Sequence, residues 1–126
     1  MSANRRHHAL QRGKWAETLA VWWLRLKGYR VLARGYTVGR GRGAGEVDVI
    51  VRRGRVVAFV EIKARANLAT AAHAITPAQQ SRIARTARAF IARRPELASC
   101  IFRFDAVLVT PGAWPRHISD AWRMDT

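Results

Sequence analysis

Cysteine is nearly absent from this sequence. Cys100 is the only one in 126 residues, which excludes an internal disulfide and a cysteine-based zinc site. Its surroundings, SCIFRF, have the composition of a strand, so we expect a small buried hydrophobic side chain rather than a nucleophile. The four histidines, His7, His8, His73 and His117, show no metal-ligand spacing. Neither residue type therefore predicts a metal site.

Acidic residues are also scarce. The chain has 8 Asp plus Glu against 23 Lys plus Arg, which gives a net charge of +15 at pH 7. Such an imbalance indicates a polyanionic partner, namely DNA, RNA or an anionic membrane surface. A merely solubilising surface would carry more acids among its bases. We expect contact with DNA or RNA, because neutralising phosphates is the usual role of so large a positive charge.

Long apolar runs are missing. None approaches the roughly 20 residues that a membrane helix needs, and the basic N-terminus lacks the apolar stretch of a secretory signal. We therefore expect a cytoplasmic protein without membrane association. Residues 12–28 combine three tryptophans with basic residues, which is compatible with a helix lying on a membrane surface. We favour the alternative in which these tryptophans face the protein core.

The glycine-rich stretch GRGRGAG, residues 39–45, is a basic loop. It lacks the Lys-Ser/Thr of a phosphate-binding P-loop, and we expect no small-molecule cofactor. Residues 1–11 are interpreted as a mobile basic arm, and residues 12–126 as one domain. Within that domain, residues 14–27 show helical spacing of large apolar side chains. The stripe predicted to face the core consists of Trp15, Leu19, Trp22, Trp23 and Leu26.

The remaining pattern predicts an α/β fold. Three strands are expected at residues 29–38, 46–53 and 55–65, a helix from Pro77 to about Arg94, and a strand at 101–110. Their order is α-β-β-β-α-β, which indicates a mixed central sheet with a helix on each side. The tail HISDAWRM has no clear pattern.

The second helix begins with a capping sequence. Thr76 is expected at the N-cap, Pro77 at the first helical position and Gln79 at the third. Gln80 projects beside the apolar stripe of this helix, so it is expected either to bond to the sheet or to approach a site. That stripe consists of Ile83, Ala87, Phe90 and Ile91.

Two carboxylates and a lysine stand in the apolar strands that flank Gly54. Asp48 and Glu61 lie six and seven residues from this turn, so a hairpin places them opposite each other. Two facing acids repel unless a positive group lies between them. Lys63, on the same face as Glu61, or a divalent cation such as Mg²⁺ could fill that role. An ion pair of Lys63 with either acid, without catalysis, is the alternative.

The same hairpin resembles a known signature. GEVDVIV followed by VAFVEIKAR resembles the Gly-Glu-(Ile/Val)-Asp and Phe-Val-Glu-(Val/Ile)-Lys-x-Arg motifs of the YraN-like family. These small bacterial proteins have no assigned role and are related to the Holliday-junction-resolvase branch of the restriction-endonuclease-like fold. The likeness runs from Gly13 to Trp122 and includes GKWAETLAVWWLRLKGYRVL, TPAQQSRI and RFDAVLV. Gly35 departs from it, where related proteins usually have Asn, and so does Gln79, where many have Lys.

The resemblance implies a restriction-endonuclease-like core with a metal site of the Asp…Glu-x-Lys kind. By this analogy Asp48 and Glu61, with the carbonyl of Ile62, bind Mg²⁺ or Mn²⁺, and Lys63 is the lysine of the motif. Glu17 would be the acid supplied by the first helix, although its helical projection away from the tryptophan stripe indicates a solvated side chain.

Further positions follow from the same analogy. Glu46 shares the strand parity of Asp48 and could contribute to its face of the sheet, while Gln80 would be the second-helix glutamine near the site. Arg65 and Arg103 would be phosphate-binding or structural arginines. Asp105 is expected to form a structural pair with one of these arginines.

Two main hypotheses result. The first is a metal-dependent endonuclease that hydrolyses phosphodiester bonds, in one version selective for branched or flapped DNA and homodimeric. The second is a nucleic-acid-binding module without catalysis; a protein-interaction or membrane-surface role ranks third. The expected catalytic residues are Asp48, Glu61, Lys63, Glu17 and Gln80. The expected nucleic-acid contacts are Arg40, Arg42, Arg52, Arg53, Arg65, Arg82, Arg85 and Arg88.

Overall fold

A computed structural model of the chain describes residues 2–39, 45–67 and 75–123, with side chains from residue 13 onward. Its elements, in chain order, are helix α1 (Ser2–Leu26), strands β1 (Arg30–Val38), β2 (Gly45–Arg53) and β3 (Val56–Ala64), helix α2 (Pro77–Ala92), a 3₁₀ turn (Pro95–Leu97), and strands β4 (Ile101–Val109) and β5 (Arg116–Trp122).

The strands form one mixed sheet in the order β1-β2-β3-β4-β5. The first three are antiparallel neighbours. β3 and β4 are parallel, because the chain crosses over from the end of β3 to the start of β4 through α2. The predicted α-β-β-β-α-β order and mixed sheet are confirmed. The tail adds β5, antiparallel to β4, which its residue pattern did not indicate.

The two helices cover opposite faces of the sheet. On β3, Ala58 and Val60 pack on the α1 side, whereas Val57 and Phe59 pack on the α2 side. All four are fully buried, as the alternation of a strand covered on both faces requires. The core therefore lies in two layers, one between the sheet and each helix.

The predicted core-facing stripe of α1 is wrong. Trp15, Trp22 and Leu26 are 49%, 45% and 62% exposed, while Leu19 and Trp23 are only partly buried. The helix instead buries a narrower stripe against the sheet. Two of its members are alanines four residues apart, which let the helix backbone approach the strands closely. The buried stripe consists of Ala16, Ala20, Val21 and Leu24.

Helix α1 also begins earlier than predicted. It starts at Ser2, so the backbone of residues 2–11 is helical where a basic arm was expected. At 25 residues α1 has the length of a membrane span. Neither it nor the other described helix is both long and apolar enough to cross a membrane.

Helix α2 begins as its capping sequence predicts. Thr76 is the N-cap, and its hydroxyl accepts a hydrogen bond from the Gln79 N–H at 3.2 Å. The helix lies against β2 at Gly45, where a Cβ atom would collide with the carbonyl of Arg82 and the hydroxyl of Thr86. Glycine at this point therefore sets how closely the first half of α2 approaches the sheet.

Candidate functional site

The two acids of the hairpin converge at the end of β2 and β3. The register of the two strands runs from Arg53–Val56 to Val49–Val60, so Asp48 and Glu61 form the next opposed pair. Their carboxyl groups lie close enough for each to perturb the pKa of the other, and Oδ2 of Asp48 accepts the Ile62 N–H at 2.8 Å. The predicted convergence of the two groups is confirmed.

A change in strand alternation positions Asp48. Val47 and Ile50 both pack on the α2 side of β2, whereas Val49 and Val51 pack on the α1 side. Strict alternation would place Val47 and Val49 on the same face, so the strand changes phase at Asp48. Its side chain consequently reaches the β3 backbone instead of standing on one face of the sheet.

Gly35 in β1 lies beside the point where the side-chain alternation of β2 changes. It lies opposite Asp48, between the Arg34–Val49 and Tyr36–Val47 pairs, and its φ of 58° is in the left-handed region. Glycine and asparagine are the residues that adopt this conformation most readily. The departure at Gly35, where YraN-like proteins usually have Asn, therefore preserves the backbone conformation.

Glu61 is buried, and only one of its two carboxyl oxygens has a hydrogen-bond partner among the described residues. Its side chain is 6% exposed, and Nζ of Lys63 lies 3.5 Å from Oε1. The Gln79 amide donates to the same Oε1 at 3.0 Å. Oε2 is buried without a hydrogen-bond partner in the part of the chain that the structure describes. A buried carboxylate oxygen of this kind needs a proton, a water or a cation.

Burial and mutual repulsion perturb both acids. Burial, followed by the charge of Asp48, raises the pKa of Glu61 from its ordinary 4.5 to about 8. Burial also raises the pKa of Asp48, against the opposing effect of the Ile62 N–H. At neutral pH the pair therefore retains a proton, because two adjacent buried carboxylates cannot both be charged without a cation between them.

The donor set at this point suits a hard divalent cation that keeps part of its water shell. Mg²⁺ is usually held by one or two carboxylates together with waters and substrate phosphate oxygens. Asp48 and Glu61 supply two carboxylates, one with a free oxygen, and Ile62 supplies a backbone carbonyl beside them. No group of three or more His, Cys, Asp or Glu that could hold a metal is found in residues 2–39, 45–67 and 75–123.

A cleft of about 760 Å³ opens beside this pair. Asp48 and Lys63 line it from the sheet, and Lys14, Trp15 and Glu17 line it from α1. Glu17 is bound there by Arg34 of β1, whose guanidinium contacts Oε1 at 2.9 Å. The structure thus places Glu17 in the cleft, as the resemblance implies, and not free in solvent.

Comparison with known proteins identifies the family of this chain. Residues 16–109 match the model of the Uncharacterised protein family UPF0102. The chain belongs to this family. It is 63% identical to a UPF0102 protein of Paramagnetospirillum magneticum, covering 97% of this chain and 95% of that protein. A UPF0102 protein of Parvibaculum lavamentivorans is 51% identical over 91% of this chain and 84% of its own length. The resemblance to the YraN-like family is thereby confirmed.

The glutamine that contacts the acid pair of this UPF0102 protein is Gln79, not Gln80. The Gln80 amide instead donates to the carbonyl of Ile75 at 3.3 Å. The apolar stripe of α2 shows which side of the helix packs on the middle of the sheet, but not which residue of its first turn lies near Glu61. The first turn extends to the end of β3, and there position 79 faces Glu61. In the sequence, this position was marked only by its difference from the YraN-like pattern, in which many proteins have Lys in place of Gln79.

Glu46 is exposed, yet it lies close enough to raise the pKa of Asp48 through its charge. Oε1 of Glu46 lies 3.4 Å from the position of a Cβ on Gly35. Its predicted position beside Asp48 is thus observed, and its role stays a prediction.

Asp105 has the structural role that was predicted for it. It is fully buried, and the Arg103 guanidinium donates to both of its oxygens at 2.8 Å. His117 Nε2 lies 2.7 Å from Oδ2, and the Asp120 N–H donates to Oδ1 at 3.0 Å. Burial alone would raise the pKa of Asp105, but the bonds from His117 and Arg103 outweigh it and lower that pKa.

This buried network continues in two directions, to the buried Tyr29 and to the exposed Lys27. Arg103 also donates to the Tyr29 hydroxyl at 2.7 Å, and Nδ1 of His117 lies 2.6 Å from Nζ of Lys27. Arg103 is therefore a structural arginine. The sequence pattern did not single out His117, because the network joins β4 and β5 to the connection between α1 and β1, which is far from them along the chain.

The arginines expected to contact nucleic acid do not form one group. Arg65 lines the cleft. Arg52 and Arg53 adjoin the Gly54 turn at the opposite end of β2 from Asp48, and Arg53 stacks on the Tyr29 ring at 4.5 Å. Arg82, Arg85 and Arg88 lie on α2, and Arg40 and Arg42 lie outside the described residues.

Proposed function

We propose that this UPF0102 protein is a metal-dependent endonuclease with a restriction-endonuclease-like fold that hydrolyses phosphodiester bonds in DNA or RNA in the cytoplasm. One observation carries the proposal: the half-buried carboxyl group of Asp48, which lines an open cleft, lies beside the buried carboxyl group of Glu61, with an ammonium 3.5 Å from Oε1 of Glu61. The net charge of +15 makes a phosphate-bearing substrate the natural partner of that arrangement.

The residues of the cleft have separate roles in this proposal. Asp48, Glu61 and the Ile62 carbonyl would hold Mg²⁺ or Mn²⁺, which supplies Lewis acidity at the scissile phosphate and a more acidic water. Lys63 stabilises the negative charge that develops on the phosphate. Gln79 would keep Glu61 oriented by donating to Oε1, while Oε2 has no hydrogen-bond partner among the described residues and would be available to a cation.

The basic surface supports a second candidate, a nucleic-acid-binding module that does not cleave. This candidate requires only the positive charge, so its affinity should fall steeply between about 50 and 200 mM salt, with or without metal. The nuclease is preferred because a binding module has no need for two adjacent acids of which one, Glu61, is buried. A buried acid beside a second acid is costly to keep in a folded chain.

A single panel of substrates separates the two candidates. The purified protein is incubated with labelled branched, flapped and linear DNAs and RNAs, in Mn²⁺ or in EDTA. If the protein is a nuclease, we expect cleavage that requires Mn²⁺ and that is lost in the Asp48→Asn and Lys63→Ala variants. Asp120→Asn is the matched control, because its side chain is exposed and pairs with Arg123.

A second readout does not depend on cleavage. Mn²⁺ should raise the melting temperature of the wild type and of Asp120→Asn, but not that of Asp48→Asn, because only the intact acid pair binds the ion. Salt-sensitive binding without cleavage, and without stabilisation by Mn²⁺, would select the binding module. Cleavage that persists in Asp48→Asn would refute the assigned site.

A further inference from the structure

The cleft has an aromatic wall that phosphodiester chemistry does not require. Trp15 of α1 lines the cleft and is 49% exposed. Ala64, Val109 and Pro111 line it as well. The half-exposed indole of Trp15 offers a flat apolar surface in the same cleft as Asp48.

Cationic side chains border this wall. Lys14, Lys63 and Arg65 line the same cleft. Of the two acids that also line it, Glu17 is bound by Arg34 at 2.9 Å, and Oδ2 of Asp48 accepts the Ile62 N–H at 2.8 Å. A flat apolar wall next to a group of cations is complementary to a nucleotide, which joins a planar base to a phosphate.

We propose that this cleft binds an unpaired nucleotide of single-stranded DNA or RNA, with the base stacked on Trp15 and its phosphates between Lys14 and Arg65. This inference rests on the proposed nucleic-acid substrate, and neither metal nor cleavage is needed for it. Bases in a duplex are stacked on one another and present only their edges. The substrate class is therefore nucleic acid with unpaired segments, such as single strands, flaps and loops.

The shape of the cleft favours this ligand over a lipid surface. Tryptophan and lysine also occur together on membrane-binding helices, but there they project from a convex face. Here Trp15 shares a cleft of about 760 Å³ with Asp48 and Glu17. A volume of this size accommodates a compact ligand, whereas a planar bilayer could not enter it.

The test compares single strands that carry bases with a strand that lacks bases and with a duplex. Dye-labelled oligothymidylate and oligouridylate of about 12 nucleotides, an abasic oligomer of the same length and a blunt duplex are titrated by fluorescence anisotropy in EDTA. The wild type should bind the base-containing strands on the order of 5- to 100-fold more tightly than the abasic strand. Trp15→Ala should lose this preference and keep its affinity for the abasic strand, and Trp15→Phe should retain most of the preference.

Trp22→Ala is the matched control, since Trp22 is on the same helix, is 45% exposed and does not line the cleft. It should keep the preference for bases. Equal losses in both tryptophan variants, an unchanged preference in Trp15→Ala, or tighter binding of the duplex would overturn the proposal. So would competition by anionic vesicles that depends on Trp15. Because EDTA prevents cleavage, a failure of the nuclease proposal does not affect this result.

Discussion

Replacing Glu61 with glutamine should stabilise the protein at neutral and alkaline pH. Burial and the charge of Asp48 raise the pKa of Glu61 to about 8, so the folded protein keeps this carboxyl protonated. Glutamine has the shape of the protonated acid. Its amide can donate to Asp48, and its oxygen can still accept from Gln79, so the contacts of the site are retained.

The sign and size of the effect follow from linkage between folding and proton binding. The pKa is 4.5 in the unfolded chain and about 8 in the folded protein. Between these values the folded state binds more protons, so the free energy of unfolding falls as pH rises from 4.5 to 8. At 1.36 kcal/mol per pH unit, the loss reaches about 3 kcal/mol at pH 7 as an upper bound. Glu61→Gln does not titrate and avoids this loss.

Urea unfolding at several pH values in EDTA measures the effect. The difference between Glu61→Gln and the wild type should be near zero at about pH 4.5 and grow to a few kcal/mol at about pH 8. Glu96→Gln is the matched control: the Glu96 side chain is 59% exposed, and this variant should follow the wild type. A Glu61→Gln protein that is less stable than the wild type at alkaline pH, or a difference that does not vary with pH, would refute the reasoning.

Three further variants test the fold and the site. Asp105→Ala should cost about 3 kcal/mol in urea unfolding, because it leaves a partly buried guanidinium unpaired, while Asp120→Asn, which suits the left-handed backbone at this position, should change stability by less than about 0.5 kcal/mol. Gly45→Ala should cost about 1–3 kcal/mol, because its methyl group collides with α2; Gly13→Ala, in open space within α1, should be neutral or stabilising. A Gly45→Ala protein as stable as the control would contradict the close approach. Gln79→Ala should reduce Mn²⁺-dependent cleavage about 10-fold, the lower end for loss of a group that orients a metal ligand, and wild-type rates would exclude that role.

Local pattern was sufficient for the first four strands of the sheet and for the acid pair. The turn at Gly54 defines a hairpin, and counting residues from that turn pairs Asp48 with Glu61, because antiparallel register is set by distance from the turn. Apolar residues on both faces of β3 predicted helices on both sides of the sheet. Thr76 and Pro77 located the start of α2, since capping depends on neighbouring residues alone.

The prediction of the buried face of a helix was wrong where it relied on side-chain size and hydrophobicity alone, because packing decides which face is buried. In α1 the largest apolar residues form one stripe and the alanines another. The sequence pattern favoured Trp15 and Trp22 for the core, but the stripe buried against the sheet consists of Ala16, Ala20, Val21 and Leu24. Trp15 lines the cleft instead. In α2, the end of β3 determined that Gln79 and not Gln80 meets the acid pair.

By itself, then, the sequence determined the order of elements, the register of the hairpin and the identity of the paired acids, because these depend on residues close together along the chain. Only the tertiary structure decided which side chains surround that pair, and that His117 and Asp105 meet in a buried network. Such contacts join segments whose separation in sequence carries no information about their distance in space. They depend on how closely each helix packs on the sheet, and that is set by the volumes of the residues between them.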